Sequence, residues 1–261
     1  MYSRTELLIG KEALKRLKEA HVMVVGLGGV GAYAAEMLCR AGVGKMTIID
    51  QDIINKTNRN RQLIALSSTE GKPKVNCLAE RLRDINPEIN LVAIKEYIRD
   101  ERMIEILKQD KYDYVIDAID TLSPKMFLII HCLDLNIPIV SSMGSGGKLD
   151  PTQVRISDIS QSYNCPLASK VRKKIHKFGI YNGFAVVFSS EKVDADVIVE
   201  DIEPNKKSTV GTISYLPPIF GCMAASVVIR KLIGLTPYDQ VKDKRYYANK
   251  KEKKKIYAGN D

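Results

Sequence analysis

Val22-Met23-Val24-Val25-Gly26 runs directly into Leu27-Gly28-Gly29-Val30-Gly31, and the reading of these ten residues decides the fold. A short, continuous apolar run is what a parallel strand buried on both faces shows. Gly26, Gly28 and Gly31 then stand in G-x-G-x-x-G spacing, with Gly29 beside them, ahead of a helical pattern from Val30 to Ala41. In that setting the glycines allow a tight turn and let phosphate oxygens approach backbone N–H groups at a helix N-terminus. Met46–Asp50 reads as the second strand. Asp50 falls nineteen residues after Gly31, where a carboxylate accepts hydrogen bonds from ribose hydroxyls. Taken alone, this half-motif favours a nicotinamide dinucleotide.

Outward from this unit the first 150 residues alternate strand and helix signals. Lys72–Ile85 is amphipathic and stops at Asn86-Pro87. Leu91–Ile94, Tyr114–Ile116 and Ile137–Ser141 read as strands, with helical stretches Glu101–Lys108 and Lys125–Leu135 between them. This alternation predicts an α/β fold with a doubly wound, Rossmann-like, mostly parallel sheet. After Gly144 the pattern loosens into a C-terminal α+β extension. It comprises a loop (SMGSGGKLDPT), a strand at Gln153–Ile156, a basic amphipathic helix at Leu167–Phe178, a strand at Phe184–Ser189 and a long polar crossing segment, Glu191–Pro218. The predicted organisation is one domain over 1–235, with a nucleotide-binding half to about 145 and a substrate and dimer half from 146, then a basic tail over 236–261.

Composition removes several classes. In 261 residues 45% are hydrophobic, too many for a mainly disordered chain. The N-terminus is charged throughout, with no apolar stretch of the kind a secretory signal carries. Five scattered cysteines form no CxxC pair, which argues against a disulfide framework or a zinc site and for a reducing cytoplasm. Cys165 and Cys222 read as core residues. Ser208–Ile229 is free of charge for 22 residues, yet Pro217-Pro218 interrupts it. The apolar helix is therefore expected only from about Ile219 to Leu232, as a core or dimer helix rather than a membrane span. Net charge is +9, and Lys242–Lys255 alone carries eight Lys/Arg against two acids. That tail reads either as a solvated terminus or as an arm for an anionic polymer.

The segment after Asp50 moves the reading away from a dinucleotide. Asp52, Asn58, Arg61 and Gln62 lie in a polar stretch dense in phosphate-binding groups, and Lys74 follows in Gly71-Lys72-Pro73-Lys74. A dinucleotide needs one helix N-terminus for its pyrophosphate. A triphosphate that loses pyrophosphate needs several fixed cations. Asp117 and Asp120 appear in Val115-Ile116-Asp117-Ala118-Ile119-Asp120, at the carboxyl end of the fourth strand, where a carboxylate beside phosphates is a natural Mg²⁺ ligand.

Five ordered pieces, SRTELLIG, GLGGVG, DQDIINKTNRNRQ, GKPKV and DAIDT, span Arg4 to Thr121. In them the chain resembles the ThiF/MoeB/ubiquitin-activating adenylyltransferases. The resemblance implies ATP and Mg²⁺ as cofactors. It assigns Gly29 and Asp50 to the nucleoside, Asn58, Arg61, Gln62 and Lys74 to the phosphates, and Asp120, with Thr121 beside it, to the metal. It also implies that Arg4 reaches into the ATP site of a second subunit, hence a homodimer. Members that act on carrier proteins usually carry two CxxC pairs for zinc, and this chain has none. SSMGSGGKLDPTQVRISDI, CPLASKVRKKIHKFGI and GTISYLPPIFG are similar to the branch that cyclises threonylcarbamoyladenosine in tRNA. That branch implies a tRNA partner, for which Arg172, Lys173, Lys174 and Lys177 are candidate backbone contacts. It also brings in a cysteine desulfurase and sulfur-acceptor system, and a cytoplasmic setting.

The implied chemistry is adenylation of the threonyl carboxylate with loss of pyrophosphate, then ring closure by the ureido nitrogen with release of AMP. Arg61, Lys74, Asp120 and Arg4 are the residues expected to carry it. Three alternatives use the same sequence. The first is adenylation of the C-terminal glycine of a small sulfur carrier. The second is an NAD-dependent oxidoreductase, which leaves Arg61, Lys74 and Asp120 unexplained. The third is a non-catalytic nucleic-acid binder, for which an ATP site is superfluous.

Overall fold

The structure, a computed structural model, describes residues 1–200 and 208–238. The basic run Lys242–Lys255 lies outside them. β1 (His21–Val25) is buried at every position and lies inside a seven-stranded sheet. On one side of it are β2 (Lys45–Ile49) and the edge strand β3 (Asn90–Ile94); on the other are β4 (Tyr114–Asp117), β5 (Ile139–Ser142), β7 (Ala185–Ser189) and β6 (Val154–Asp158). The order β3-β2-β1-β4-β5-β7-β6 is parallel throughout except where β6 meets β7. The winding direction reverses at β1 and β4, so the crevice beyond their carboxyl ends is where such a sheet binds ligands.

Eight helices are described: α1 (Ser3–Ile9), α2 (Lys11–Glu19), α3 (Gly31–Ala41), α4 (Lys74–Ile85), α5 (Asp100–Gln109), α6 (Leu122–Asp134), α7 (Pro166–Ile175) and α8 (Leu216–Leu232). Because side chains alternate across a strand, β1 feeds two cores. Val22 and Val24 pack with Leu17, Leu38, Leu78 and Phe220, under α2, α3, α4 and α8. Met23 and Val25 pack with Met103, Leu128 and Val171, under α5, α6 and α7. Truncating a residue such as Phe220, fully buried between α8 and the sheet, costs roughly 3–5 kcal/mol.

Most expected elements appear within a residue or two of their predicted ends, and three differ in kind. Pro217 and Pro218 do not stop α8; they occupy its first turn, where the N–H groups have no intrahelical partner to lose. The segment after Glu191 is not plain crossing chain, since β8 (Ile198–Glu200) and β9 (Ser208–Val210) pair antiparallel within it. Before β1, where no element was expected, the chain forms two helices, and α1 buries none of its residues. Cys165 is buried as expected, whereas Cys222 is exposed, because it lies on the outer face of α8. No helix among the described residues is long and apolar enough to cross a membrane.

Candidate active site

The carboxyl ends of β1, β2 and β4 are joined by backbone hydrogen bonds: the Gly26 N–H donates to the Ile49 carbonyl (2.9 Å) and the Ala118 N–H to the Val25 carbonyl (2.8 Å). This brings the glycine turn against the loop that carries Asp120. Gly26 has φ +88°, and a Cβ there would lie 2.7 Å from the Ala118 carbonyl oxygen. A Cβ on Gly31 would lie 1.8 Å from the Gly26 carbonyl oxygen, so only glycine lets α3 begin this close to the turn. Gly28 and Gly29 face Gln62 and the Arg61 backbone. Asp50, at the end of β2, accepts the Leu27 N–H at 2.6 Å and the Asp52 N–H at 2.7 Å. Burial pushes the Asp50 carboxyl above its ordinary range, against the pull of Lys74 and these two N–H groups.

The polar stretch after Asp50 folds back beside the glycine turn. Asn58 is buried, and its Oδ1 accepts the Asn55 N–H (3.0 Å), capping a one-turn 3₁₀ helix at Lys56–Asn58. Gln62 is also buried, and its Oε1 has no hydrogen-bond partner. An acceptor shut away from water and protein donors costs about 1–3 kcal/mol, so a ligand hydroxyl or amino group belongs opposite it. The Arg61 guanidinium donates to the Thr57 carbonyl (3.0 Å) and to Asn60 Oδ1 (2.8 Å). Burial lowers its pKa from the ordinary arginine value, and the Asp120 carboxylate opposes that shift, so Arg61 and Asp120 share one electrostatic site. Lys74, buried at the start of α4, holds the half-exposed Asp52 at 2.7 Å. Thr121 stands at the N-terminal boundary of α6, without a side-chain bond to the helix, next to exposed Asp120. Glycine turn, Gln62, Arg61, Lys74 and Asp120 therefore gather at the switch point, a composition suited to nucleoside triphosphate.

Three predicted groups stand elsewhere. Asp117 is not a surface ligand: it is fully buried and paired with Lys125 at 2.7 Å. Arg172 does not project toward a partner, because its guanidinium donates to the Ser162 carbonyl (2.7 Å) and to the Ser162 hydroxyl. Lys173, Lys174 and Lys177 are exposed. The Cys165 side chain, just before α7, lies near Gly144 beyond β5, and the three lysines stand toward the other end of the helix. Arg4 is exposed on α1.

The sequence reading missed two buried lysines. Lys125 reads as an ordinary helical charge; its partner becomes visible only once β4 and α6 are adjacent. Lys148, 2% exposed, donates to the Glu191 and Asn164 carbonyls. The Glu191 carboxylate in turn accepts the Leu149 and Asp150 N–H groups, pinning the loop beyond β5 to the segment beyond β7.

The model of the ThiF family matches residues 2–257, and the chain belongs to that family. The match runs past Leu235 into the basic tail. The chain is 41% identical over 253 residues to the tRNA threonylcarbamoyladenosine dehydratase of Bacillus subtilis, covering 93% of this chain and 98% of that one. The crystal structure of Escherichia coli tRNA N6-threonylcarbamoyladenosine dehydratase, TcdA, in complex with ATP superposes with a TM-score of 0.80 at 36% identity, covering 89% of this chain and 93% of that one. The Salmonella typhimurium molybdopterin-synthase adenylyltransferase is 34% identical over 142 residues, covering only 54% of this chain.

Proposed function

We propose that this chain is an ATP-dependent tRNA threonylcarbamoyladenosine dehydratase. The carrying observation is the extent of likeness. Similarity to the dehydratase of B. subtilis spans 93% of the chain, including the half that an acceptor must meet, whereas similarity to the carrier-protein adenylyltransferase spans 54%. The orphaned Gln62 acceptor and the glycine turn fit the nucleoside; Arg61 and Lys74 fit the phosphates.

The threonyl carboxylate is a poor electrophile because its leaving group is oxide. Its oxygen attacks the ATP α-phosphorus, a Pα–O bond breaks, and pyrophosphate leaves. Lys74 exchanges Asp52 for the departing phosphates, and Arg61 neutralises charge that grows on them. The ureido N–H nitrogen then attacks the acyl carbon of the mixed anhydride, AMP leaves, and a proton is lost to solvent. ATP thereby drives a dehydration without a covalent enzyme intermediate, so no cysteine is needed.

Asp120 suits Mg²⁺. Among the described residues no three His, Cys, Asp or Glu side chains gather to cage a metal, and one exposed carboxylate completed by phosphate oxygens and water is the usual Mg²⁺ arrangement. When bound, the ion neutralises phosphate charge.

The reading extends to the tRNA and to a second subunit. Lys173, Lys174 and Lys177 meet the RNA backbone well away from the reacting base. α1 exposes Leu7 and Leu8 at 87% and 85%, an apolar stripe that a second copy of the chain covers while bringing Arg4 to the partner's phosphates. A cysteine desulfurase and sulfur-acceptor system remains a proposed partner, and the cytoplasm the proposed setting.

Pyrophosphate release measured with modified tRNA, with a sulfur carrier protein or with neither tests the function. Release and base cyclisation only with tRNA are expected; release only with the carrier overturns it. Mixing Arg4→Ala with Lys74→Ala chains tests the dimer. Each is expected to be nearly inactive alone, but heterodimers contain one intact site, so activity partly returns. Proven subunit exchange without recovery places Arg4 outside the partner's site.

A further inference from the structure

An ion pair lies beneath the switch point, unused by the reaction above. Lys125 and Asp117 are both fully buried, with the Lys125 ammonium 2.7 Å from Asp117 Oδ2. The ammonium also donates to Ser141 Oγ (3.2 Å) and to the Ser142 carbonyl (2.9 Å), so its three protons meet three acceptors. The Ser141 hydroxyl donates to the same carboxylate oxygen, Oδ2. The other oxygen, Oδ1, accepts the Ile119 N–H at 3.0 Å.

That last bond reaches the active site. Ile119 stands between Ala118, whose carbonyl packs against the Gly26 turn, and Asp120, whose carboxylate acts on Arg61. The cluster links β4, β5 and α6 and ends on a turn that meets the glycine loop through Ala118 and the Arg61 site through Asp120. Apolar packing of the same volume is commonly at least as stable as a buried ion pair, so stability alone does not account for it. A charge-assisted clamp on a single backbone amide instead fixes where that turn sits.

We propose that Lys125 is a positioning residue for adenylation: through Asp117 it locks the Ile119 amide, and with it the turn that presents Asp120 toward the phosphates. The inference rests on the ATP-site reading only for its kinetic consequence. Lys125 touches no reacting atom. Its effect falls on the transition state, where a small misplacement of a charged group is most costly, rather than on nucleoside binding through Asp50 and Gln62.

The test combines amide hydrogen exchange with kinetics on the full chain, comparing wild type, Lys125→Met and Ser141→Ala. Ser141→Ala keeps the ion pair and serves if Lys125→Met does not fold. Exchange at Ile119 is expected to rise by about 10-fold or more in Lys125→Met and less in Ser141→Ala, with Met23 and Val24 amides in β1 unchanged. The kcat for cyclisation is expected to fall by about 10- to 100-fold in Lys125→Met while KM for ATP stays within about threefold. Unchanged exchange at Ile119 overturns the clamp. An equal rise across the sheet shows a merely structural pair and also overturns it, as does a rise confined to Ile119 with kcat intact. Failure of the wider functional reading looks different: wild-type protein then binds no ATP, while Ile119 still responds to the substitutions.

Discussion

Lys74 and Lys173 carry the same ammonium group into two different settings. Lys74 is buried at the carboxyl edge of the sheet, held 2.7 Å from Asp52 and sharing its surroundings with Asp50. Lys173 is exposed in the last turn of α7, beside Lys174 and one turn before Lys177. A charge fixed in a low-dielectric site is already oriented when phosphate charge develops, so it stabilises a transition state. A charge in water is screened and mobile, so it raises affinity for a polyanion and the rate of encounter. Arg172 shows the boundary between the two. It directly precedes Lys173 in α7, yet its bonds to Ser162 make it part of the scaffold.

The sharpest way to break this contrast is at its buried end. Lys74→Ala is expected to lower the adenylation rate by about 10²–10³ while leaving the fold intact, the usual cost of one preorganised charge. The loss should hardly change between low and moderate salt. It is measured by pyrophosphate release at saturating tRNA; near wild-type turnover would show that Arg61 alone carries the charge.

A smaller, salt-dependent effect belongs to the exposed end. Replacing Lys173, Lys174 and Lys177 together by Ala is expected to raise KM for tRNA roughly tenfold at low salt and to leave kcat unchanged. If each contacts one phosphate, the slope of log affinity against log salt should shrink by about 2. Filter binding across a salt series gives the slope. An unchanged slope would move the RNA footprint to another face.

These two ends differed equally in how well the sequence revealed them. The doubly wound parallel sheet, the glycine turn and the placement of Asp50, Arg61, Lys74 and Asp120 beside it were legible because local rules carry them: apolar runs, a tight turn, a strand end at a set spacing. What was not legible depends on tertiary neighbours. Asp117 and Lys125 are eight residues apart, and nothing in that spacing says both are sealed from water or that Ser141 completes the pair. Basic spacing on α7 revealed a charged face but not which edge of the sheet it would occupy. Pro217-Pro218 misled because proline stops a helix only from within; at the first turn it starts one. Cys222 misled because α8 is apolar nearly all round yet keeps an outer face.

The smallest effect expected at neutral pH concerns Asp50, on the buried side of the comparison. Its carboxyl titrates above the ordinary carboxylate range because burial disfavours the charge more than Lys74 and two N–H donors restore it. As pH falls through this raised value, a proton occupies an oxygen that otherwise accepts the Leu27 or Asp52 N–H, and the glycine turn loses an acceptor. The acid limb of kcat/KM for ATP should therefore lie above pH 3.8, the ordinary aspartate value. Linkage gives stability the opposite sign. A carboxyl whose folded pKa is raised binds its proton more tightly when folded, so the stability it contributes is full below the unfolded value and is lost as pH rises through the folded one. Activity should thus fall on acidification while this group's contribution to the stability of the fold rises. Asp50→Asn is expected to raise KM for ATP about 3- to 5-fold at neutral pH, because an amide cannot accept at both positions, and to remove the acid limb. Kinetics and thermal unfolding followed over one pH series check both signs, and an acid limb that persists in Asp50→Asn would assign it to another carboxylate.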